Sequence, residues 1–140
     1  MKQLGFLIHA DKCIGCYSCR FSCHNENGQG NTFRRKVHQI KNDLYEPFHS
    51  FQHISMSCNH CETPACLAVC PEGAIQKKQN GIVLIDKMKC SGCRKCETSC
   101  PFGAIQIDPI SGKADKCDMC YDRLMEGKTT ICISSCPVQA

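Results

Sequence analysis

Sixteen cysteines fall along 140 residues as four clumps of four, with none left over. The clumps are Cys13, Cys16, Cys19, Cys23; Cys58, Cys61, Cys66, Cys70; Cys90, Cys93, Cys96, Cys100; and Cys117, Cys120, Cys132, Cys136. Three of them end in Cys-Pro, at Cys70-Pro71, Cys100-Pro101 and Cys136-Pro137. The first and third read C-x2-C-x2-C-x3-C, the run that wraps an iron-sulfur cubane and lends its fourth cysteine to a second one. A cubane has four iron corners, each taking one thiolate. A short loop with cysteines three apart curls around one face and reaches three corners; the cysteine four residues on is expected to point away and serve a neighbouring cluster. The proline after it removes a backbone donor and fixes its own φ, which suits a chain turning out of a site. Sixteen thiolates therefore predict four 4Fe-4S clusters.

Two other uses of cysteine fit less well. Cysteine above about 8–10% of a short chain marks many secreted disulfide scaffolds, but that use needs an oxidising compartment. Met1 to Ala10 carry Leu4, Phe6, Leu7 and Ile8 around Gly5, short of the apolar stretch of about 7–15 residues and the small-residue cleavage site of an export leader. The expectation is a cytoplasmic chain with reduced thiols, membrane-associated or exported only through a partner. Paired C-x2-C units also build tetrahedral zinc sites, yet zinc leaves unexplained a third cysteine at the same spacing and a fourth before proline.

With no Trp, six Phe and three Tyr, a conventional core is thin, and the clusters are expected to dominate the interior and to couple folding to their insertion. The formal charge of +4 treats thiols as neutral; sixteen thiolates and four oxidised cores of about +2 each turn it to roughly −4. The basic residues then read as compensation for buried anionic sites rather than as a nucleic-acid footprint, which needs a contiguous basic face. The one compact basic run, Arg34, Arg35, Lys36, is expected to be a solvated loop, with docking to a partner as the sharper use. Arg94, Lys95, Lys89 and Lys116 flank cysteines and raise nearby potentials if they face the clusters; surface solvation is the plainer expectation.

The sequence repeats itself: Cys70-Pro-Glu-Gly-Ala-Ile75 and Cys100-Pro-Phe-Gly-Ala-Ile105 are nearly one word, and Cys136-Pro-Val-Gln-Ala140 is a shortened version. Ala74 to Gln79, the Asn80-Gly81 turn and Ile82 to Asp86 predict a β-hairpin, and Ala104 to Asp108 with Lys113 to Lys116 a weaker one around Pro109 to Gly112. Gln3 to His9 reads as a short strand, Ala65 to Val69 and Lys95 to Ser99 as helical turns, and Asp118 to Glu126 as a longer helix stopped by Gly127. The cysteine-free segment His24 to Ser57 reads as a loop wrapped over one cluster pair, able to face a larger subunit. No apolar stretch approaches the roughly 18 residues of a membrane span.

Taken together, the four clumps in order, Cys58-Asn-His-Cys61-Glu, Pro64-Ala-Cys66, Phe33-Arg34-Arg35, Cys117-Asp-Met-Cys120-Tyr-Asp-Arg123 and the eleven-residue gap from Cys120 to Cys132 make the whole sequence resemble the electron-transfer subunit of the dimethyl sulfoxide reductase family. The resemblance implies an α+β fold of small ferredoxin-like βαβ-type repeats, two dicluster ferredoxin units nested in one chain around a cluster-dominated core. It implies that Cys13, Cys16 and Cys19 share a cluster with Cys136; Cys117, Cys120 and Cys132 with Cys23; Cys58, Cys61 and Cys66 with Cys100; and Cys90, Cys93 and Cys96 with Cys70. Residues 54–108 then form an inserted unit inside an outer one made of 1–53 plus 109–140. Spacing alone leaves a tandem pairing open, first clump with second and third with fourth.

The implied partners are a molybdopterin catalytic subunit, with molybdenum or tungsten, and a membrane anchor linked to quinol. The implied role is an electron relay without a substrate site, since four protein ligands on every cluster leave no open iron. A stand-alone polyferredoxin, or an accessory carrier for a hydrogenase or formate-linked complex, is the alternative. Cysteine at every ligand position means that the replacement giving some relatives a 3Fe-4S cluster is missing. The resemblance implies that members of the family generally continue past the last Cys-Pro, whereas Ala140 lies four residues after Cys136, so the cluster sharing Cys136 is expected to be the most labile. His60 is expected to pack beside its clump rather than ligate, and Asp122 and Arg123 to make structural contacts. No Ser/His/Asp constellation, phosphate-binding glycine loop or flavin fingerprint is present.

Overall fold

A computed structural model describes residues 3–27, 32–42 and 50–140. Met1 and Lys2, and parts 28–31 and 43–49 of the expected wrapping loop His24–Ser57, lie outside the described residues. The protein is a small α+β molecule with eleven short elements among the described residues: α1 Ser18–Asn27, β1 Lys36–Asn42, β2 Ser50–Met56, α2 Ala65–Ala68, β3 Ile75–Lys77, β4 Val83–Ile85, α3 Lys95–Ser99, β5 Gln106–Ile107, β6 Ala114–Asp115, α4 Tyr121–Met125 and α5 Ile131–Ser134.

The strands form three separate antiparallel pairs, β1 with β2, β3 with β4 and β5 with β6. The two predicted hairpins are β3–β4, closed by Lys78 N–H to Ile82 O at 2.8 Å, and β5–β6, closed by Asp108 N–H to Lys113 O at 2.9 Å. Each follows a short helix, so the repeating unit is a helix and then an antiparallel hairpin, not a βαβ crossover. Strands of two or three residues are too short to build the crossover pair that the resemblance implied.

Other expectations are corrected. Gln3–His9 is extended without joining a sheet; among its described backbone groups the bond that fixes it is Leu4 N–H to Asn80 O at 2.9 Å, at the β3–β4 turn. The helix expected from Asp118 begins only at Tyr121, because Met119 and Cys120 take φ of 59° and 48°, a left-handed conformation that cannot continue a right-handed helix. Its end at Gly127, φ 74°, follows the usual glycine stop. The cysteine-free segment contains a hairpin, with Val37 opposite Ser55 and Ile40 opposite Gln52. In β1 the apolar residues Val37 and Ile40 stand three apart with Ile40 exposed, and in β2 Phe51, Ile54 and Met56 alternate only over the last pair, so the alternation that marks a strand is not sustained.

The basic run is no solvated loop. Arg35 is buried, its guanidinium donating to Ser55 Oγ at 2.9 Å and Ser57 Oγ at 3.1 Å and stacking over Phe6. Arg34 grips Asp115 through two bonds of 2.9 Å and reaches Asp118 and Asn27 at 2.9 Å each. Asp115 also accepts from Thr32 at 3.0 Å and Lys87 at 2.7 Å, so one carboxylate ties the segment before β1 and the residues after β4 to β6, and Arg34 adds α1 through Asn27. The apolar core is small: Ile75, Val83, Cys96, Ile105 and Ala114, with Cys66, Cys70, Cys90 and Cys100 packed against it.

Candidate metal centres

Within each clump the residue just before the second cysteine takes positive φ: Gly15 at 66°, His60 at 46°, Gly92 at 74° and Met119 at 59°. Left-handed backbone there folds each C-x2-C into a tight loop, so that backbone N–H groups turn inward to the sulfurs. His60 N–H lies 3.4 Å from Cys58 Sγ, and Met119 N–H lies 3.3 Å from Cys117 Sγ. A methyl group on Gly92 would stand 2.2 Å from Gly112 O, so glycine is required there by space as well as by φ.

The third and fourth cysteines of every clump are placed by a short helix. Cys19 and Cys23 lie in α1, Cys66 in α2 with Cys70 just beyond it, Cys96 in α3 with Cys100 as its cap, and Cys132 in α5 with Cys136 after it. Residues i and i+4 share one helical face, a rise of about 6 Å apart. Cys23 alone stays on its helix face, one turn beyond Cys19, whereas Cys70, Cys100 and Cys136 come where the chain leaves the helix, Cys100 already in extended backbone. Helices α2 and α3 pack together, as do α1 and α5, which brings the last cysteine of each helix toward the clump of its partner.

The resulting groupings are read from what lines each cavity. One is ringed by Cys58, Cys61, Cys66 and Cys100 with Val83 and Ile105; another by Cys70, Cys90, Cys93 and Cys96. A cavity of about 410 Å³ is lined by Cys13, Cys16, Cys19 and Cys136, with Cys132, Phe6 and Arg35. Cys23 faces Cys117, Cys132 and Cys120; burial first, and then the charge of these three, push its thiol up to about 12. Burial likewise raises Cys117 to about 11. None of the sixteen is in a disulfide, and only Cys16 and Cys93 are exposed.

The residues present fit cubanes. Among the described residues, five sulfurs accept backbone N–H groups: besides Cys58, Cys117 and Cys90, the last from Ala114 at 3.4 Å, Ala104 N–H points to Cys100 at 3.4 Å and Ala140 N–H to Cys136 at 3.3 Å. These two bonds are the same feature in two copies of the Cys-Pro repeat, and Gln139, at φ 50°, stands where Gly103 has 56°. Ser55 Oγ lies 3.2 Å from Cys19 Sγ, and Asn27 Nδ2 3.8 Å from Cys23 Sγ. Among the described residues, no three His, Cys, Asp or Glu side chains close around a point the size of one metal ion; the cysteines ring larger spaces.

Two buried cations complete the electrostatics. Arg35 and Lys116 are 3% and 4% exposed, and among the described residues neither has a carboxylate partner. Lys116, expected on the surface, donates instead to Cys117 O at 3.0 Å and to Val83 O; Arg94, Lys95 and Lys89 are exposed as expected. A buried cation needs a counter-charge, and anionic thiolate sites supply it. His60 is fully buried, as a packing residue should be; its Nδ1 accepts Val83 N–H at 3.0 Å and its Nε2 has no protein partner. Burial and then Lys116 hold its pKa down at about 3, so it stays neutral. Arg123 contacts Glu26 at 3.0 Å and Thr129 O at 3.2 Å, as expected of a structural residue, while the Asp122 side chain is exposed. Sequence reasoning missed Ser55, Asn27 and Asp115; only the run Phe33-Arg34-Arg35 hinted at this network.

Comparison with known proteins agrees with this chemistry. Residues 49–140 match the family model for a 4Fe-4S dicluster domain. The protein is 42% identical over 146 positions to a component of the anaerobic dimethyl sulfoxide reductase of Escherichia coli, covering 99% of its own length and 71% of that relative. It is 40% identical over 138 positions to the thiosulfate reductase electron transfer subunit of Salmonella typhi, covering 96% and 72%. It is 34% identical over 163 positions to a component of the sulfite dehydrogenase of Allochromatium vinosum, covering 100% and 68%.

Proposed function

We infer, from a protein that belongs to the 4Fe-4S dicluster family of iron-sulfur electron-transfer subunits, with relatives in dimethyl sulfoxide and thiosulfate reductases, that it relays single electrons through four 4Fe-4S clusters and carries no substrate site. The carrying observation is the convergence, around each of three cavities, of three cysteines from one clump with the last cysteine of another, while Cys23 is near enough to Cys117, Cys120 and Cys132 for their charges to act on it. It favours the nested pairing over the tandem one: Cys13, Cys16, Cys19 with Cys136; Cys117, Cys120, Cys132 with Cys23; Cys58, Cys61, Cys66 with Cys100; Cys90, Cys93, Cys96 with Cys70. Residues 54–108 then form the inserted unit, and 1–53 plus 109–140 the outer one.

Bound cubanes supply one-electron chemistry at potentials set by hydrogen bonds to sulfur, local charge and exposure. The protein holds four neighbouring sites, buries six of the sixteen cysteines and leaves only two exposed, and aims N–H groups at their sulfurs. The helix pairs α2–α3 and α1–α5 each join two sites, and Val83 and Lys116 join the inner two. In order, the Cys90 site neighbours the Cys58 site, then the Cys117 site, then the Cys13 site. The finer reading is a relay between a quinol-linked membrane anchor and a molybdopterin catalytic subunit; the reductase relatives support it, and no helix among the described residues is long and apolar enough to cross a membrane itself.

Anaerobic isolation followed by iron and sulfide assay tests the count: about sixteen irons per chain are expected, and zinc in their place overturns the reading. Cys100→Ala separates the pairings. Nested ligation requires it to disturb the site of Cys58, Cys61 and Cys66; tandem ligation requires disturbance at the fourth clump. Co-purification with a large molybdopterin subunit is expected, whereas a redox-active monomer without partners favours the polyferredoxin alternative.

A further inference from the structure

The two inner sites meet at a single peptide. Val83 lines the cavity of Cys58, Cys61, Cys66 and Cys100. Its N–H is taken by His60 Nδ1 at 3.0 Å, and its carbonyl by Lys116 Nζ, which also donates to Cys117 O at 3.0 Å. Cys117 opens the clump of the adjoining site. The Lys116 side chain thus spans from the wall of one site to the backbone of the other. It is 4% exposed, Val83 1% and His60 0%, so water screens little of its charge.

The surroundings leave that charge uncompensated by protein. Two carbonyls satisfy two of its three N–H donors, and among the described residues no carboxylate pairs with it. Asp115, its neighbour in sequence, is turned to Arg34 and Lys87. His60 cannot add a second charge while its Nδ1 accepts a hydrogen bond, because that atom is then unprotonated. An unpaired buried ammonium is costly unless anions face it, and the sites on either side are anionic and become more so by one charge on reduction.

We propose that Lys116 is a potential-setting residue shared by the two inner sites, whose buried ammonium favours the reduced state of both. This rests on the four-cluster reading above. A natural control lies in the same molecule: Lys89 precedes Cys90 as Lys116 precedes Cys117, but Lys89 is exposed. Sequence position being equal, burial between two sites, with Nζ held by the Val83 and Cys117 carbonyls, distinguishes Lys116 from Lys89.

The test is an anaerobic redox titration followed by electron paramagnetic resonance on wild type, Lys116→Met, Lys116→Gln and Lys89→Met, each with iron and sulfide assayed first. The assay of wild type separates a failure of the four-cluster reading from a failure of this one. At full iron content, Lys116→Met is expected to lower two of the potentials, each by about tenfold in the ratio of reduced to oxidised form, which is about 59 mV for one electron. The other two stay put, and Lys89→Met moves none comparably. Lys116→Gln, which keeps an N–H donor for the carbonyls but loses the charge, is expected to act as Met does. Unchanged potentials in both fully loaded neutral variants overturn the proposal, as does an equal shift in Lys89→Met. Loss of iron in both neutral variants also overturns it, because the lysine then holds the junction together rather than setting potentials.

Discussion

Asp115 shows how one side chain positions this fold. It accepts from Arg34, Lys87 and Thr32 while only 7% exposed. Burial alone would raise its pKa, but the bonds and charges of Arg34 and Lys87 bring it below the ordinary 3.8. A carboxyl depressed in the folded state stabilises it above the unfolded value, and that contribution is lost as pH falls through the folded one. Asp115→Asn leaves Arg34 with Asp118 as its remaining carboxylate and is expected to cost about 1–3 kcal/mol, seen as a lower melting temperature of the iron-loaded protein at neutral pH, with a flatter acid limb. Gln139 is a smaller case. It is exposed at φ 50°, where Gly103 stands in the sister repeat, so Gln139→Gly is expected to stabilise by about 1 kcal/mol, measured as slower chelator stripping of the Cys13 site.

At the level of elements, strand β2 places Ser55 at 3.2 Å from Cys19 Sγ, with Arg35 donating to the same hydroxyl at 2.9 Å. A hydrogen bond to sulfur raises a cluster's potential. Ser55→Ala is therefore expected to keep full iron content and shift one potential downward; an unchanged titration curve would show the contact to be packing alone. None of this was legible in the sequence, because the apolar residues of β1 and β2 keep no sustained alternation to announce a hairpin. The cysteine clumps were legible, since their spacing is dictated by a rigid inorganic body, and so was β3–β4, through Asn80-Gly81. Lys116 and Arg35 were misread for a general reason: burial of a cation depends on anions that join the fold only with the cofactor, and composition rules for lysine assume there are none.

At the scale of the whole molecule, cysteine supplies nearly half of the buried apolar positions among the described residues, beside Ala74, Ile75, Ile82, Val83, Ile105, Ala114 and Met119. So few aliphatic side chains cannot offset the ordering entropy of a polypeptide this long, and four thiolates gathered without their metal repel one another. Iron-free protein with its thiols alkylated is expected to show no cooperative melting transition and an expanded hydrodynamic radius; a sharp transition in calorimetry would contradict this. The exposure of Cys16 and Cys93 alone among sixteen cysteines has a practical outcome. In the proposed order they belong to the first and last sites, so dioxygen meets the array at its termini. Brief aeration is expected to bleach those two centres while the inner pair keeps its spectroscopic signal, leaving a conductor intact in the middle and cut at both contacts.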